Sequence, residues 1–284
     1  MAKYLCSNGE LFLASEPVLT ATNRSFIYGD GVFETIRCRN SLPLFFEKHY
    51  QRLRRALYHL KIDFPSKYTE EYFRQEIYRL LQRNRIYNGA KVRLSVFRKE
   101  GGLYTPSQDK ADFIIVADSL ESEFYQLNDK GLKLGVYTEN FKQQSTFSAF
   151  KTNNALLNVL AAKWKKENGF DDCLLINAEG HLIESSSSNV FFVKNNKLVT
   201  PAIETACVDG TMRRNILEIA IQNNIPVVES EKIPKDILYQ ADEVFLTNAV
   251  QGIVWVGAFE EKRYFHFLSS RLLNLLVEKA KSER

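Results

Sequence analysis

The chain has 284 residues, 45% hydrophobic and 25% charged, with a formal net charge of +4, which suits one large or two smaller soluble domains and excludes a disordered or fibrous chain. Its basic residues are spread rather than massed in one tract, so nucleic acid is not expected as a partner, and no apolar run reaches the length of a membrane span. The start shows no signal-peptide pattern, and the four cysteines (Cys6, Cys38, Cys173, Cys207) show no metal spacing, so reduced thiols in a cytoplasmic small-molecule enzyme are expected.

In chain order, short strands are predicted at Tyr4–Cys6 and Leu11–Leu13. Val32–Cys38 and Leu42–Phe46 read as a hairpin turning at Arg39-Asn40-Ser41. Tyr28-Gly-Asp-Gly31 before it reads as a tight turn into a strand, and no helix follows, so a dinucleotide-binding motif is excluded. Apolar spacing predicts helices over Glu47–Leu60 and Thr69–Arg85. Strand character returns at Val92–Phe97 and Phe113–Ala117. A polar stretch then predicts a linker over 119–131, between an N-terminal α+β domain (1–118) and a C-terminal domain (132–284). In the second domain, strands are predicted at Leu132–Tyr137, Asp172–Ile176, Val190–Val193, Val227–Glu229, Glu243–Thr247 and Ile253–Val256. Helices are predicted at Asn154–Asn168, Thr211–Asn223 and Phe265–Lys281.

Two residues stand out chemically. Lys151 lies in Ser-Ala-Phe-Lys-Thr-Asn-Asn, between Phe147 and Phe150 and a stretch carrying Leu156, Leu157 and Leu160. The loop is therefore expected to enter a buried helix. A partly buried lysine loses proton affinity and can condense with an aldehyde, whereas a solvated loop lysine does neither. Glu184 precedes four serines and an asparagine, a run unusual in a strand and rich in donors for a carboxylate or phosphate. A carboxylate facing a pyridine nitrogen stabilises the protonated ring, so the pair points to pyridoxal phosphate (PLP). A phosphate cradle is available at Gly210-Thr211-Met212, where a helix opens, with Asp209 as a possible cap. Thr247-Asn248-Ala249 offers a second set of donors, and Arg52 a cation, though beside Arg54 and Arg55 it also reads as a solvent-facing residue. The four histidines have no metal-ligand spacing, so no metal is expected.

With these residues in hand, the sequence resembles the fold type IV PLP enzymes, the class IV aminotransferase family. That family includes branched-chain aminotransferases, D-amino acid aminotransferases and 4-amino-4-deoxychorismate lyases. The resemblance runs in order through Tyr-Gly-Asp-Gly-Val-Phe-Glu-Thr (28–35), His-Tyr-Gln-Arg-Leu (49–53), Val-Arg-Leu-Ser-Val-Phe-Arg (92–98), Lys-Thr-Asn-Asn (151–154), Glu-Ser-Ser-Ser-Ser-Asn-Val-Phe (184–191), Gly-Thr-Met-Arg (210–213) and Ala-Asp-Glu-Val-Phe-Leu-Thr-Asn-Ala (241–249). It implies an α+β, two-domain fold, with a small N-terminal domain and a larger C-terminal domain built on a barrel-like sheet. It also implies that Lys151 forms the Schiff base and moves the Cα proton, and that Glu184 partners the pyridine nitrogen. Arg52, Ser186, Thr211, Met212, Asn248 and Ala249 become cofactor contacts, and Tyr28, Arg93 and Arg98 substrate contacts. A homodimer whose site is completed across the interface is expected.

The subfamilies share an external aldimine and diverge after Cα deprotonation. Met212 in Gly-Thr-Met-Arg, Thr-Asn-Ala in place of a threonine-rich motif, and the small Ala155 lean toward the lyase, which releases pyruvate to leave 4-aminobenzoate. An amino acid aminotransferase using 2-oxoglutarate is the alternative. An inactive PLP-fold binding protein is a further one, disfavoured by the presence of both Lys151 and Glu184.

Overall fold

Alternating apolar residues build the first sheet. Its strands are β1 (Tyr4–Ser7), β2 (Glu10–Leu13), β3 (Gly31–Arg39), β4 (Leu42–Pro43), β5 (Gly89–Arg98) and β6 (Ala111–Leu120), in a computed structural model that describes residues 3–283. They pair antiparallel in the order β2-β1-β6-β5-β3-β4. Helices α1 (Arg24–Tyr28), α2 (Phe46–His59) and α3 (Glu70–Asn84) belong to the same part of the chain. The period-two face carrying Val32, Ile36, Val92 and Leu94 packs with Leu53 and Leu57 of α2 and Phe73 and Ile77 of α3 in one buried core.

The hairpin partner ends earlier than predicted. Pro43 has no N–H to extend the ladder, and Phe45 takes a left-handed φ of 52° that starts α2. The unpredicted α1 has five residues, too few for a periodic signal. It is fixed at its ends: Asn23 accepts from the Ser25 and Phe26 amides, and Gly29 closes it at φ 67°.

The second sheet holds β7 (Leu132–Lys142), β8 (Asp172–Asn177), β9 (Leu182–Ser185), β10 (Asn189–Lys194), β11 (Lys197–Pro201), β12 (Val227–Ser230), β13 (Glu243–Asn248), β14 (Gly252–Phe259) and β15 (Lys262–Arg263). The order is β12-β11-β10-β13-β14-β7-β8-β9, with β15 on β14, curled as a half-barrel. Helices α4 (Leu156–Glu167), α5 (Thr211–Gln222), α6 (Ile237–Gln240) and α7 (Phe267–Ser282) complete this part. Short β9 and β11 escaped prediction because serine and lysine at their ends dilute the strand signal.

By spatial grouping the chain forms two units. One contains the residues through Phe124 together with Phe150–Asn154 and Glu283; the other contains Tyr125–Ala149 and Ala155–Ser282. The break after Phe124 falls inside the span expected as linker. Lys151 returns to the first unit, which a linear division of the sequence does not anticipate. The expected buried helix after Lys151 is corrected: Leu156 is 70% and Leu160 41% exposed, and only Leu157 of the three packs on the core. Cys6, Cys38, Cys173 and Cys207 are all buried free thiols. Among the described residues, no helix is long and apolar enough to cross a membrane.

Candidate active site

Lys151 is held through its backbone. Its carbonyl accepts from the Phe33 amide at 2.8 Å, Thr152 bridges Val32, and the Asn153 amide donates to the Gly31 carbonyl at 3.0 Å. The side chain is half-buried, with Nζ 4.7 Å from the Phe33 ring centroid. Arg93 lies over the same ring at 3.6 Å. Phe33 and Arg93 share the face of the sheet away from the core, because Phe33 pairs with Ser95 and Thr35 with Arg93. Lysine and arginine thus flank one aromatic ring.

Behind that ring, the core face of β3 carries a carboxylate. Glu34 is 2% exposed and follows Val32 in the alternation that buries Ile36. Its partners come from one face of α2, at i and i+3: His49 Nδ1 at 2.6 Å from Oε2, and Arg52, whose Nε donates to Oε1 at 2.8 Å and whose Nη2 reaches Oε2. Arg52 is therefore buried, while Arg54 and Arg55 are exposed. Burial would raise the Glu34 pKa, but the Arg52 charge and the hydrogen bonds from His49 and Arg52 overcome it and hold the carboxyl down at about 2. Burial pushes the His49 imidazole down, toward its neutral form. A depressed carboxyl stabilises the fold fully above its ordinary value of 4.5 and loses that contribution as pH falls toward about 2. Thermal unfolding of the wild type is thus expected to steepen its pH dependence in that window, and Glu34→Gln to flatten it. Parallel profiles would contradict this assignment.

The remaining substrate candidates of this unit sit differently. Tyr28 packs on Tyr104 at 5.4 Å and under Arg24 at 5.0 Å. Arg98 is 6% exposed and its donors go to Asp30, Asp109 and the Leu60 and Lys61 carbonyls. Both line a cavity of about 310 Å³ with Arg24 and Asn154. Arg98 ties loops together, whereas Arg93 is exposed on its strand.

In the second unit, Glu184 on β9 is 3% exposed. Oε1 accepts from Lys142 Nζ at 2.6 Å and Oε2 from the Val208 amide at 2.8 Å. The serines after it serve another carboxylate: Ser185 and Ser186 donate to Asp172 at 3.1 and 2.8 Å, and the Ser187 and Ser188 amides donate to Ser185 Oγ. The run expected to offer donors to a ligand thus spends its Ser185 and Ser186 hydroxyls on Asp172.

From Val208 the chain runs directly into α5. The Gly210 amide donates to the Val208 carbonyl at 2.8 Å, and Asn189 Nδ2 donates to the same oxygen at 2.7 Å. A Cβ on Gly210 would lie 1.9 Å from Asn189 Oδ1, so only glycine fits at this approach. No side chain caps α5; the expected Asp209 cap is instead paired with Arg214. Thr211 and Met212 are buried in the first turn. Asn189 pairs across strands with Thr247, whose buried Oγ1 has no hydrogen-bond partner among the described residues. Asn248 closes a turn by accepting from the Val250 and Gln251 amides, and the Ala249 carbonyl accepts from Tyr125. Glu34, His49, Lys142 and Thr247 carry these arrangements without having been singled out as site residues from sequence. The readable signal was Glu34, a carboxylate in register with core residues on a strand, which demands a cationic partner.

A lysine on an aromatic ring, a buried carboxylate tied to a helix start, and an uncapped helix beside an unpartnered hydroxyl are the parts of a PLP enzyme. The chain belongs to the amino-transferase class IV family, whose model matches residues 31–259. It is similar to the aminodeoxychorismate lyase of Bacillus subtilis (strain 168), 29% identical over 90% of this chain and 87% of that one. It is also similar to the branched-chain-amino-acid aminotransferase of Pseudomonas aeruginosa, 26% identical over 87% and 81% of the two chains. In fold it matches the branched-chain amino acid aminotransferase of Thermobaculum terrenum in its PLP form, with a TM-score of 0.86, 20% identity, and 99% and 95% of the chains covered.

PLP is the cofactor of this family and of this enzyme. The second unit fits it on its own chemistry. The start of α5 and the Thr247 hydroxyl offer donors to a phosphate, and Glu184 offers an acceptor to a ring N–H.

Proposed function

We propose that this enzyme is a 4-amino-4-deoxychorismate lyase, releasing pyruvate and leaving 4-aminobenzoate. The observation that carries the reading is the turn after β13. Asn248 commits its side-chain oxygen to the Val250 and Gln251 amides, and Ala249 has no hydroxyl, so this corner differs from the threonine-rich motif of aminotransferases. The small Ala155 after Lys-Thr-Asn-Asn and the likeness to the Bacillus subtilis lyase support it. The second reading, an amino acid aminotransferase acting on branched-chain or D-amino acids, is favoured by Arg93. That exposed guanidinium beside Lys151's aromatic neighbour suits a substrate carboxylate.

When bound, PLP supplies the electron sink for the charge left at Cα. Lys151 Nζ carries the cofactor aldehyde carbon and then holds and returns the Cα proton. Glu184 holds the ring nitrogen, and the Thr211 and Met212 amides with Thr247 hold the phosphate, Arg52 adding its charge. Ser186, through Asp172, and Asn248 and Ala249, through their turn, shape the edges of the cradle. Tyr28 and Arg98 belong to the substrate rim. A homodimer, with the partner completing each site, is part of this reading.

Supplying aminodeoxychorismate is expected to yield pyruvate and 4-aminobenzoate in equal amounts. Rapid amino exchange between amino acids and 2-oxoglutarate without 4-aminobenzoate would replace the lyase with the transaminase. Gly210→Ala tests the cradle. Its Cβ must displace Asn189, and PLP affinity is expected to fall about tenfold or more, a loss of about 1.4 kcal/mol. Unchanged affinity by equilibrium dialysis would remove the helix start from the phosphate site.

A further inference from the structure

Glu184 is met by a cation whose role the reaction does not require. Lys142 ends β7, where an irregularity after Tyr137 brings it opposite Asn177 of β8. Its ammonium turns inward, donating to Glu184 at 2.6 Å and to the Ser148 carbonyl at 3.3 Å. The side chain is 19% exposed, little for a lysine, against 4% for Glu184. Charges on neighbouring elements have their own partners: Asp172 of β8 with Lys165, Arg213 of α5 with Glu229, and Asp209 with Arg214. The Cys207 thiol is pushed up to about 12, by burial first and then by Glu184, and stays uncharged. Val208 fixes the second oxygen, so two donors set the carboxylate plane and one of them is charged.

We propose that Lys142 is a positioning residue for Glu184, and that its charge sets how strongly Glu184 holds the ring-nitrogen proton of PLP. The proposal rests on the reading of Glu184 as the ring-nitrogen partner. An ammonium on one carboxylate oxygen withdraws part of the negative charge that a second N–H donor would meet. The ring nitrogen is thereby shared rather than fully protonated, and the strength of the electron sink is tuned from a residue that touches neither substrate nor cofactor.

The test is magnetic resonance of ring-nitrogen-labelled PLP bound to the full-length enzyme. Lys142→Gln keeps a donor to Glu184 but removes the charge. It is expected to move the nitrogen signal toward the protonated limit and to raise the ring nitrogen's proton affinity about tenfold, one pH unit. Lys142→Arg keeps the charge and is expected to keep the wild-type signal. Should Lys142→Gln fail to fold, Lys142→Met carries the same expectation. A neutral variant with the wild-type signal overturns the proposal. Glu184→Gln separates the two levels. If it moves the signal toward the unprotonated limit while the neutral Lys142 variant does not, the proposal falls and the role of Glu184 stands. If it leaves the signal in place, the role of Glu184 itself falls.

Discussion

Lys151→Ala is expected to abolish the visible absorption band that PLP gains on condensing with a lysine, and to end turnover. Loss of positioned proton transfer alone costs on the order of 10²–10⁴ in rate, and loss of the covalent anchor adds to it. The fold should survive, because the contacts that place this segment are made by its backbone: the Lys151 carbonyl with the Phe33 amide, and the Asn153 amide with Gly31. What is lost locally is one cation over the Phe33 ring, worth about 0.5–1 kcal/mol at a partly exposed site. Absorbance after PLP addition, and the mass of the peptide containing residue 151 after borohydride reduction, report the result directly. A variant that keeps the band, or a wild type that carries the reduced cofactor on another lysine, would overturn the assignment.

Glu34→Gln is expected to be the most damaging change outside the chemistry itself. Glu34 is wholly buried and shares its oxygens between His49 and Arg52. Removing one partner of a buried ion pair leaves an uncompensated charge and costs about 3–5 kcal/mol. The guanidinium of Arg52 would also lose the fork that fixes its orientation, so PLP affinity should fall with stability. Pairing Glu34→Gln with Arg52→Met removes both charges and is expected to recover much of the lost stability but none of the PLP affinity. Chemical denaturation and PLP titration of the three variants separate the two effects. If the double variant is no more stable than Glu34→Gln, the pair is not what holds β3 to α2.

Most helices and central strands could be read from the chain, since each carries a periodic apolar face long enough to register. α2 shows how far that reading goes. Its spacing places Leu53 and Leu57 on the core face, and the same spacing places His49 and Arg52 there, yet Arg52 flanked by Arg54 and Arg55 looks like any solvent-facing arginine. Only the partner, Glu34 on another element, distinguishes it. The serine run misled for a related reason. Its hydroxyls are short and local, and Asp172, the acceptor that claims two of them, is a dozen residues earlier in the chain. Lys142 was invisible because nothing in a strand-end lysine reveals that it turns inward. Apolar α4 was read as buried from Leu156 and Leu160, and hydrophobicity alone does not say which face of a helix meets the core.

The short path from Glu184 through Val208 to Gly210 acts as a ruler. One amide grips the carboxylate, the carbonyl of the same residue receives the Gly210 amide, and the helix begins at the next residue. The gap between the ring-nitrogen partner and the phosphate donors is therefore written into three consecutive residues, with Asn189 as the stop behind them. An insertion there would misset both ends at once, whereas changes at Ala155 or Asn248 leave the gauge untouched. A lineage is thus free to exchange one reaction for another at the periphery while the measured length of its cofactor seat stays constant.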